Sequence, residues 1–398
     1  MKRQKLMERL NVLLSEPLDS VKDRQEFTFS RLVGGLDRPF VLFGASHLGR
    51  KVLSVLKKLG YAPVAFIDNN ESVWGGEIDS IPVMSPAQLV QQYQSALPSV
   101  ICTIWSGHIN DRMSDRLEPL KKLGFERIAL FGHLAWCYPQ YFLPHYSLDL
   151  PEKVIEDADN IRQAFALLSD EASKQLFVDH IEWRLLLDYD LLPPASTRHI
   201  YFDTCFSSQH VDEVVYDIGA FSGDSVEEYL NSGRAFKEIH SFEPSIINYN
   251  ALQARLTKLN KPNVLKAYQL AIGDAIGETF IEADDGPAAR VGTGNDRVCV
   301  TTLDELSKSI APATFIKIDI EGFEPQCLRG GRQLIAELHP VIAVSVYHEQ
   351  NHLWSILQQL HSYYSDYHFS LCPHVSEGWD LVLYAVPIER VPFHASCE

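Results

Sequence analysis

Five residues near the C-terminal end of the chain, H-E-Q-N-H, have the spacing of a zinc-binding helix. His348 and His352 are four positions apart and enclose Glu349, so on one helix both imidazoles would bind the metal and the carboxylate would act as a base. The flanking residues favour a different structure. The run V-S-V-Y before His348 is typical of a buried strand, and Asn351 is a good N-cap for the helix that follows. His348 is then expected at a strand end, and since no third ligand follows at a recognisable spacing, the sequence assigns no metal.

A second group of residues, in the stretch V-V-Y-D-I-G-A-F-S-G-D, has the chemistry of a nucleoside site. Gly219 and Gly223 form a turn in which backbone can lie against a ligand, and the amides at the start of the next helix point at that ligand. Glu243 ends the following strand, where it can accept hydrogen bonds from two ribose hydroxyls. Asp217 would repel a pyrophosphate, but it suits the cationic amino-acid end of S-adenosylmethionine. The alternative is a structural turn with a helix-capping acid and no ligand.

Three further side chains are candidates for catalysis because they end or follow strands. Open α/β sheets bind their ligands at the carboxyl ends of parallel strands, where His348 is expected. A hydroxyl that accepts a methyl group must lose its proton, and a histidine can take it. Asp319 and Glu321, in I-D-I-E-G, are rival bases or a pair that could hold a divalent ion. The structural alternatives are that Glu321 caps a helix and His348 satisfies a backbone carbonyl.

The first half of the chain has its own glycine turn. From Pro39 onward short apolar runs alternate with helical patterns, which predicts a doubly wound parallel sheet. The turn G-A-S-H-L-G runs from Gly44 to Gly49, and Asp68 ends the second strand. This arrangement imitates a dinucleotide fingerprint, except that Ser46 stands where the glycine next to the pyrophosphate belongs. Three alternatives therefore stay open: the first domain binds NAD, it binds a sugar nucleotide, or it binds no ligand.

These patterns predict an α/β chain of two doubly wound Rossmann-like domains joined by a helical connector. The 398 residues are too many for one ordinary domain. We expect an N-terminal helical segment over 1–36 and a Rossmann-like domain over 37–150. A helical connector is expected over 151–210, and a second α/β domain that binds the cofactor over 211–398.

Composition excludes some classes of partner. A formal net charge of −17 argues against a nucleic-acid surface, and no uncharged apolar run approaches the roughly 18 residues of a membrane span. The seven cysteines are scattered and contain no C-x-x-C, which is typical of reduced thiols. We therefore expect a cytoplasmic protein with no membrane span and no bound nucleic acid, and a homo-oligomer stays open.

From about Tyr201 to Pro387 the chain resembles the FkbM family of S-adenosylmethionine-dependent methyltransferases. The matching stretches are V-V-Y-D-I-G-A-F-S-G-D-S, S-F-E-P-S, A-I-G-D, T-T-L-D-E-L, F-I-K-I-D-I-E-G-F-E-P-Q-C-L-R-G-G, P-V-I-A-V-S-V-Y-H and L-V-L-Y-A-V-P. The resemblance implies a seven-stranded class I methyltransferase fold for the second domain. It also implies that the protein uses S-adenosylmethionine to methylate a hydroxyl of a small molecule or sugar, in surface-polysaccharide or natural-product biosynthesis.

The resemblance implies roles for particular residues. It puts Asp217, Gly219 and Gly223 on the methionine end of the cofactor. It puts Glu243 on the ribose and Asp319, at a strand end, beside the sulfonium. Pro244 and Ala271, in S-F-E-P-S and A-I-G-D, complete the predicted cofactor-binding set.

The chain also departs from the family pattern, so the acceptor cannot be carried over. His352 stands where many relatives have aspartate, and Pro373-His374 stands where several have Arg-His. Two other functions remain open. One is a nucleotide-sugar or NAD-binding protein that acts through its first domain, and the other is a non-catalytic scaffold.

Overall fold

Two open, mostly parallel sheets form the framework of the chain. The computed structural model describes residues 2–94, 96–108, 111–281, 292 and 294–392.

The first sheet has six strands and follows two N-terminal helices. The elements of this part are α1 (Lys2–Leu14), α2 (Leu18–Val33), β1 (Phe40–Phe43), α3 (His47–Lys58), β2 (Ala65–Ile67), β3 (Glu77–Ile78), β4 (Ile81–Met84), α4 (Pro86–Tyr93), β5 (Ser99–Cys102), α5 (Met113–Lys122), β6 (Ile128–Leu130), α6 (Phe131–Cys137) and α7 (Pro139–Phe142). The strand order is β3-β4-β2-β1-β5-β6. Among the described strands of this first sheet, only the short β3 pairs antiparallel to its neighbour.

The connector is helical, but it is not one continuous helix. It contains α8 (Glu152–Glu156), α9 (Ala158–Leu167) and α10 (Glu171–Leu186). Asp170 is the N-cap of α10, because its side chain accepts a hydrogen bond from the Ser173 amide at 2.7 Å. The chain is therefore broken between α9 and α10. The break also lets the Ser169 amide donate to the carbonyl of Phe369 at 3.0 Å. A single amphipathic pattern in the sequence therefore hides a point where the connector pairs with the second sheet.

The second sheet has seven strands. Its part of the chain contains β7 (Val214–Ile218), α11 (Asp224–Asn231), β8 (Glu238–Phe242), α12 (Ile246–Leu259), β9 (Leu265–Tyr268), β10 (Ala271–Ile272), β11 (Gly277–Ile281), β12 (Asp296–Thr301), α13 (Leu303–Ser309), β13 (Phe315–Ile318), α14 (Glu324–Gly330), α15 (Arg332–Leu338), β14 (Val341–Ser345), α16 (His352–Tyr363), β15 (Tyr367–Pro373) and β16 (Leu381–Pro387). The order is β15-β16-β14-β13-β7-β8-β9, and a small sheet has the order β10-β12-β11. Short 3-10 helices cover Glu71–Val73, Tyr189–Leu191 and Ile388–Arg390.

The strand order confirms the predicted fold class. The final strand, β16, lies antiparallel between β14 and β15, and the other neighbours in this sheet are parallel. The run V-L-K-A-Y-Q-L-A-I-G-D contains two strands, β9 and β10. The run T-F-I-E-A-D-D forms part of β11 as far as Ile281, and its last four residues lie outside the described residues. The domain boundaries given above stay predictions.

The N-terminal helix α1 packs on the connector and the second sheet. Leu6, Leu10 and Leu14 are buried in one apolar cluster with Phe165 and Phe177. Arg9 donates to Asp179 at 2.7 Å from the same helix. The leucine stripe thus buries itself against its own chain, as its helical spacing predicts. Among the helices that the structure describes, none is both long enough and apolar enough to cross a membrane.

Candidate active site

A cavity of about 510 Å³ lies at the carboxyl ends of four neighbouring strands of the second sheet. Its lining includes Gly219 after β7, Glu243 after β8, Asp319 after β13 and Tyr347 after β14. This is the edge at which open α/β sheets bind ligands. Most of the candidate residues identified in the sequence lie at or directly behind this cavity.

The two glycines of the turn after β7 have different structural roles. Gly219 lines the cavity, and its φ of +79° suits glycine. A Cβ there would lie 1.8 Å from the carbonyl oxygen of Asp319, so the two strand ends can approach only without a side chain. Gly223 also has positive φ, but a Cβ there would meet Leu252 at 2.9 Å. Gly223 therefore allows close packing on α12, and it does not line the cavity.

Glu243 is fixed by two backbone amides at the rim of the cavity. Its Oε2 accepts from the amide of Phe221 and its Oε1 from the amide of Ser245, each at 2.9 Å. Burial raises the pKa of Glu243, and these two amides act in the opposite direction. Each carboxylate oxygen keeps acceptor capacity for a second donor. The arrangement can bind a pair of vicinal hydroxyls, and the adjacent Pro244 lines the same wall.

Asp217 contacts the cavity only through other side chains. Its carboxylate accepts from Ser225 Oγ at 2.6 Å and lies 3.2 Å from Lys317 Nζ. Both partners line the cavity, whereas Asp217 is buried behind them. Burial would lower the pKa of Lys317, but Asp217 and Asp319 raise it. Sequence reasoning missed Lys317, although a lysine inside the apolar run T-F-I-K-I-D was the available signal.

Asp319, Glu321 and His348 lie close together in the structure. His348 Nε2 lies 3.3 Å from Asp319 Oδ1 and 3.6 Å from Glu321 Oε1. Both carboxylates line the cavity, while the imidazole is fully buried and is not part of the lining. The structure therefore puts the two acids at the cavity and the histidine behind them.

Glu324, which sequence reasoning did not select, lies between the two histidines of the H-E-Q-N-H motif. Its Oε1 is 2.8 Å from His348 Nδ1, and its Oε2 is 3.3 Å from His352 Nδ1. Burial would raise the pKa of Glu324, but the two imidazoles lower it well below its usual value. Burial would likewise lower the pKa of His348, but Glu324 and Glu321 raise it well above the usual value. The second glutamate in D-I-E-G-F-E was the available signal for this residue.

The H-E-Q-N-H motif is not a metal-binding helix. Helix α16 begins at His352, so His348 precedes it, as predicted. Asn351 occupies the N-cap position, but its side chain makes no capping hydrogen bond. The two imidazoles flank one carboxylate instead of facing a common ion. The predicted strand end is confirmed, and the predicted side-chain cap is wrong.

Aromatic side chains wall the side of the cavity next to Asp319. Trp379 and Tyr347 come from the second part of the chain, and Tyr146 comes from the segment after α7. The ring of Tyr146 lies 4.5 Å from that of Trp379, centroid to centroid. Tyr201 donates to Asp319 Oδ2 at 2.9 Å. The cavity is therefore built by both parts of the chain.

The positions that depart from the family pattern do not line this cavity. His374 is buried, with its Nε2 2.8 Å from the hydroxyl of Tyr384, and Pro373 borders a separate groove beside α10. His352 contacts Glu324 behind the cavity wall. Ala271 lines a small adjoining cavity that shares Gly219 and Pro244 with the main one.

In the first sheet, the glycine turn is accounted for by its own packing. A Cβ at Gly49 would lie 2.0 Å from the carbonyl oxygen of Gly44. Asp68 accepts from the amides of Ala45 at 2.7 Å and Asn70 at 2.8 Å. These contacts explain the two glycines and the acid through close helix–strand approach and capping of the turn.

The seven-stranded sheet has the features of a Rossmann-like methyltransferase fold. These are a glycine turn after β7, an acid after β8, and a last strand, β16, that is inserted antiparallel. Residues 217–371 match the family model described as Methyltransferase FkbM domain. This match confirms that this part of the chain resembles the FkbM methyltransferase family.

A solved structure has the same fold over nearly the whole chain. The methyltransferase FkbM from Methylobacillus flagellatus KT superimposes with a TM-score of 0.76 at 18% sequence identity, covering 97% of this chain and 99% of that one. A putative rRNA-methylase from Clostridium thermocellum has a TM-score of 0.30 at 12% identity, over 44% of this chain and 89% of that one. A comparison with curated proteins found no match.

Proposed function

We propose that the protein transfers the methyl group of S-adenosylmethionine to a hydroxyl group of a small molecule or sugar. The observation that carries this proposal is the single cavity that combines Glu243, suited to a ribose, with the carboxylates of Asp319 and Glu321. Surface-polysaccharide or natural-product biosynthesis is the setting that the family resemblance suggests.

The charge of the cavity supports a cationic cofactor. Its lining includes six carboxylate side chains and one lysine; the acids are Asp224, Glu228, Glu243, Asp319, Glu321 and Asp380. Such a lining favours a ligand that carries positive charge, as the sulfonium of S-adenosylmethionine does. Glu243 would bind the ribose, and Gly219 and Pro244 would border the nucleoside. Asp217 would act indirectly, by holding Lys317 and Ser225.

The chemistry needs an acceptor oxygen in line with the methyl–sulfur bond. As the new carbon–oxygen bond forms, the carbon–sulfur bond breaks and its electrons remain on sulfur as a neutral thioether. Positioning of the two reactants supplies much of the rate, and the acceptor proton must leave. Asp319 and Glu321 line the cavity and His348 lies behind them, so we assign this group of three to the acceptor hydroxyl.

Calorimetric titration of the full chain with S-adenosylmethionine tests the proposal. We expect saturable binding of about one molecule per chain, and NAD or a nucleotide sugar should not compete. Incubation with S-adenosylmethionine carrying a labelled methyl group and a panel of sugars and small alcohols should then yield an ether product. Absence of S-adenosylmethionine binding would overturn the proposal. Saturable NAD or nucleotide-sugar binding that is lost in Asp68→Ala would instead support a function of the first domain.

A further inference from the structure

The polar atoms that converge beside His348 are not satisfied by the protein alone. Glu324 is a buried carboxylate, which can only accept, so the Nδ1–H of His348 donates to it at 2.8 Å. The other ring nitrogen, Nε2, is buried and has no hydrogen-bond partner among the described residues. The same is true of Asp319 Oδ1 and Glu321 Oε2. A fully buried imidazole nitrogen thus points into a group of carboxylates without making a hydrogen bond.

The distances from His348 Nε2 to the two neighbouring acids suit ligands of a shared ion. His348 Nε2 lies 3.3 Å from Asp319 Oδ1 and 3.6 Å from Glu321 Oε1. Nitrogen and oxygen ligands at about 2.1 Å from one ion, with angles of 90° to 120° between them, are separated by about 3.0–3.6 Å. These separations are long for hydrogen bonds, but they are ordinary for ligands of one metal.

Charge also favours a cation here. The carboxylates of Asp319, Glu321 and Glu324 all approach the same imidazole. A single positive charge on that ring would offset one of these three negative charges, whereas a divalent ion would offset two. Buried charges are costly unless they are paired or coordinate a metal.

We propose that Asp319, Glu321 and His348 bind a divalent cation, with Glu324 as the outer partner that orients the imidazole. A carboxylate on the second ring nitrogen is the usual support of a metal-bound histidine. One imidazole and two carboxylates suit a first-row ion such as Mn²⁺. The inference deepens the proposed function and rests on it for the role of the ion.

The backbone around the site holds the ligands in place. Glu324 Oε1 also accepts from the amide of Ile320 at 2.9 Å, within the turn that carries Asp319 and Glu321. Glu321 has a φ of +55°, a conformation that non-glycine residues keep only when their surroundings enforce it. Since Asp319 and Glu321 line the cavity, an ion that they hold would be open to a hydroxyl in the cavity and would help that hydroxyl to lose its proton.

Mn²⁺ titration of the chelator-treated full chain, followed by calorimetry and by the electron paramagnetic resonance signal of free Mn²⁺, tests the site without any assay of activity. We expect about one saturable site per chain. His348→Gln and Asp319→Asn should weaken it by at least tenfold, and Glu324→Gln by roughly 10- to 100-fold. Glu228→Gln is the matched control, because Glu228 is a lining carboxylate that makes its own pair with His199, and its Mn²⁺ affinity should be unchanged. Thermal melting of each variant verifies that it is folded.

Titration of S-adenosylmethionine in the same samples separates the two proposals. Weak Mn²⁺ binding that is equal in the wild type and in every variant is an adventitious ion only, and it overturns the metal site. Cofactor binding and methyl transfer that persist in chelator, without Mn²⁺ binding, would overturn the metal site and leave the proposed function intact. A Mn²⁺ site in a protein that does not bind S-adenosylmethionine would support the site and overturn the function.

Discussion

Replacement of Glu243 by alanine should weaken the binding of S-adenosylmethionine without preventing folding. Hydrogen bonds to a charged group contribute about 1.5–3 kcal/mol each, so loss of one ribose contact should raise Kd by roughly 10- to 150-fold. The same substitution removes the acceptor of the Phe221 and Ser245 amides. An unsatisfied buried donor costs about 1–3 kcal/mol, and a lower melting temperature should therefore accompany the loss of affinity.

Asp68→Ala is the matched control for that substitution. Asp68 holds two amides of the first sheet's turn, those of Ala45 and Asn70, much as Glu243 holds two in the second sheet. It should lower the melting temperature by a similar amount and leave Kd for S-adenosylmethionine unchanged in calorimetry. A Kd for Glu243→Ala within threefold of wild type would refute the ribose assignment. An equal loss of affinity in Asp68→Ala would attribute the effect to general destabilisation.

Two further outcomes follow from backbone geometry and from burial. Gly219→Ala should abolish cofactor binding and unfold at a temperature far below that of the wild type. Gly233 also has a positive φ, +71°, but has open space around its Cβ position, so Gly233→Ala should cost only about 1–2 kcal/mol of strain. Equal melting temperatures of the two variants would contradict the close approach of Gly219 to Asp319. Burial lowers the pKa of His374 to about 4, so between about pH 6.5 and 4 the unfolded chain binds more protons and stability falls as pH falls. His374→Gln should reduce that loss in melting curves recorded across this range, and an unchanged pH dependence would contradict the assignment.

Those parts of the fold that depend on local pattern could be predicted from the sequence. The apolar runs of β7, β8 and β14 are followed by turn residues, and each strand ends close to its predicted position. Gly219 and Glu243 follow such runs directly, so their position at the carboxyl edge follows from the strand assignment. The short β3 and the partly exposed β12 have too few buried residues for a periodic signal.

Those parts of the site that depend on distant contacts could not be predicted. Glu324 reads as a first-turn residue of α14, and only the packing of α14 against the segment after β14 brings it to His348. Tyr146 lies 201 residues before Tyr347 in the chain, yet both line the cavity. The indirect position of Asp217 depends on Lys317, which comes from a neighbouring strand of the sheet. Spacing along the chain carries no information on such pairs.

The first part of the chain supports one wall of the cavity. The loop after β15 carries Trp379, and the indole of Trp105 donates to the carbonyl of Glu377 in that loop at 3.1 Å. Arg116 pairs with the carboxylate of Glu377 at 2.6 Å, and both side chains are buried. Removal of one partner from a buried pair costs about 3–5 kcal/mol, so the loop conformation depends on the first sheet. Because Tyr146 packs on Trp379 from the same side, a change in the first sheet would alter the cavity wall at Trp379 before it altered the side at Glu243.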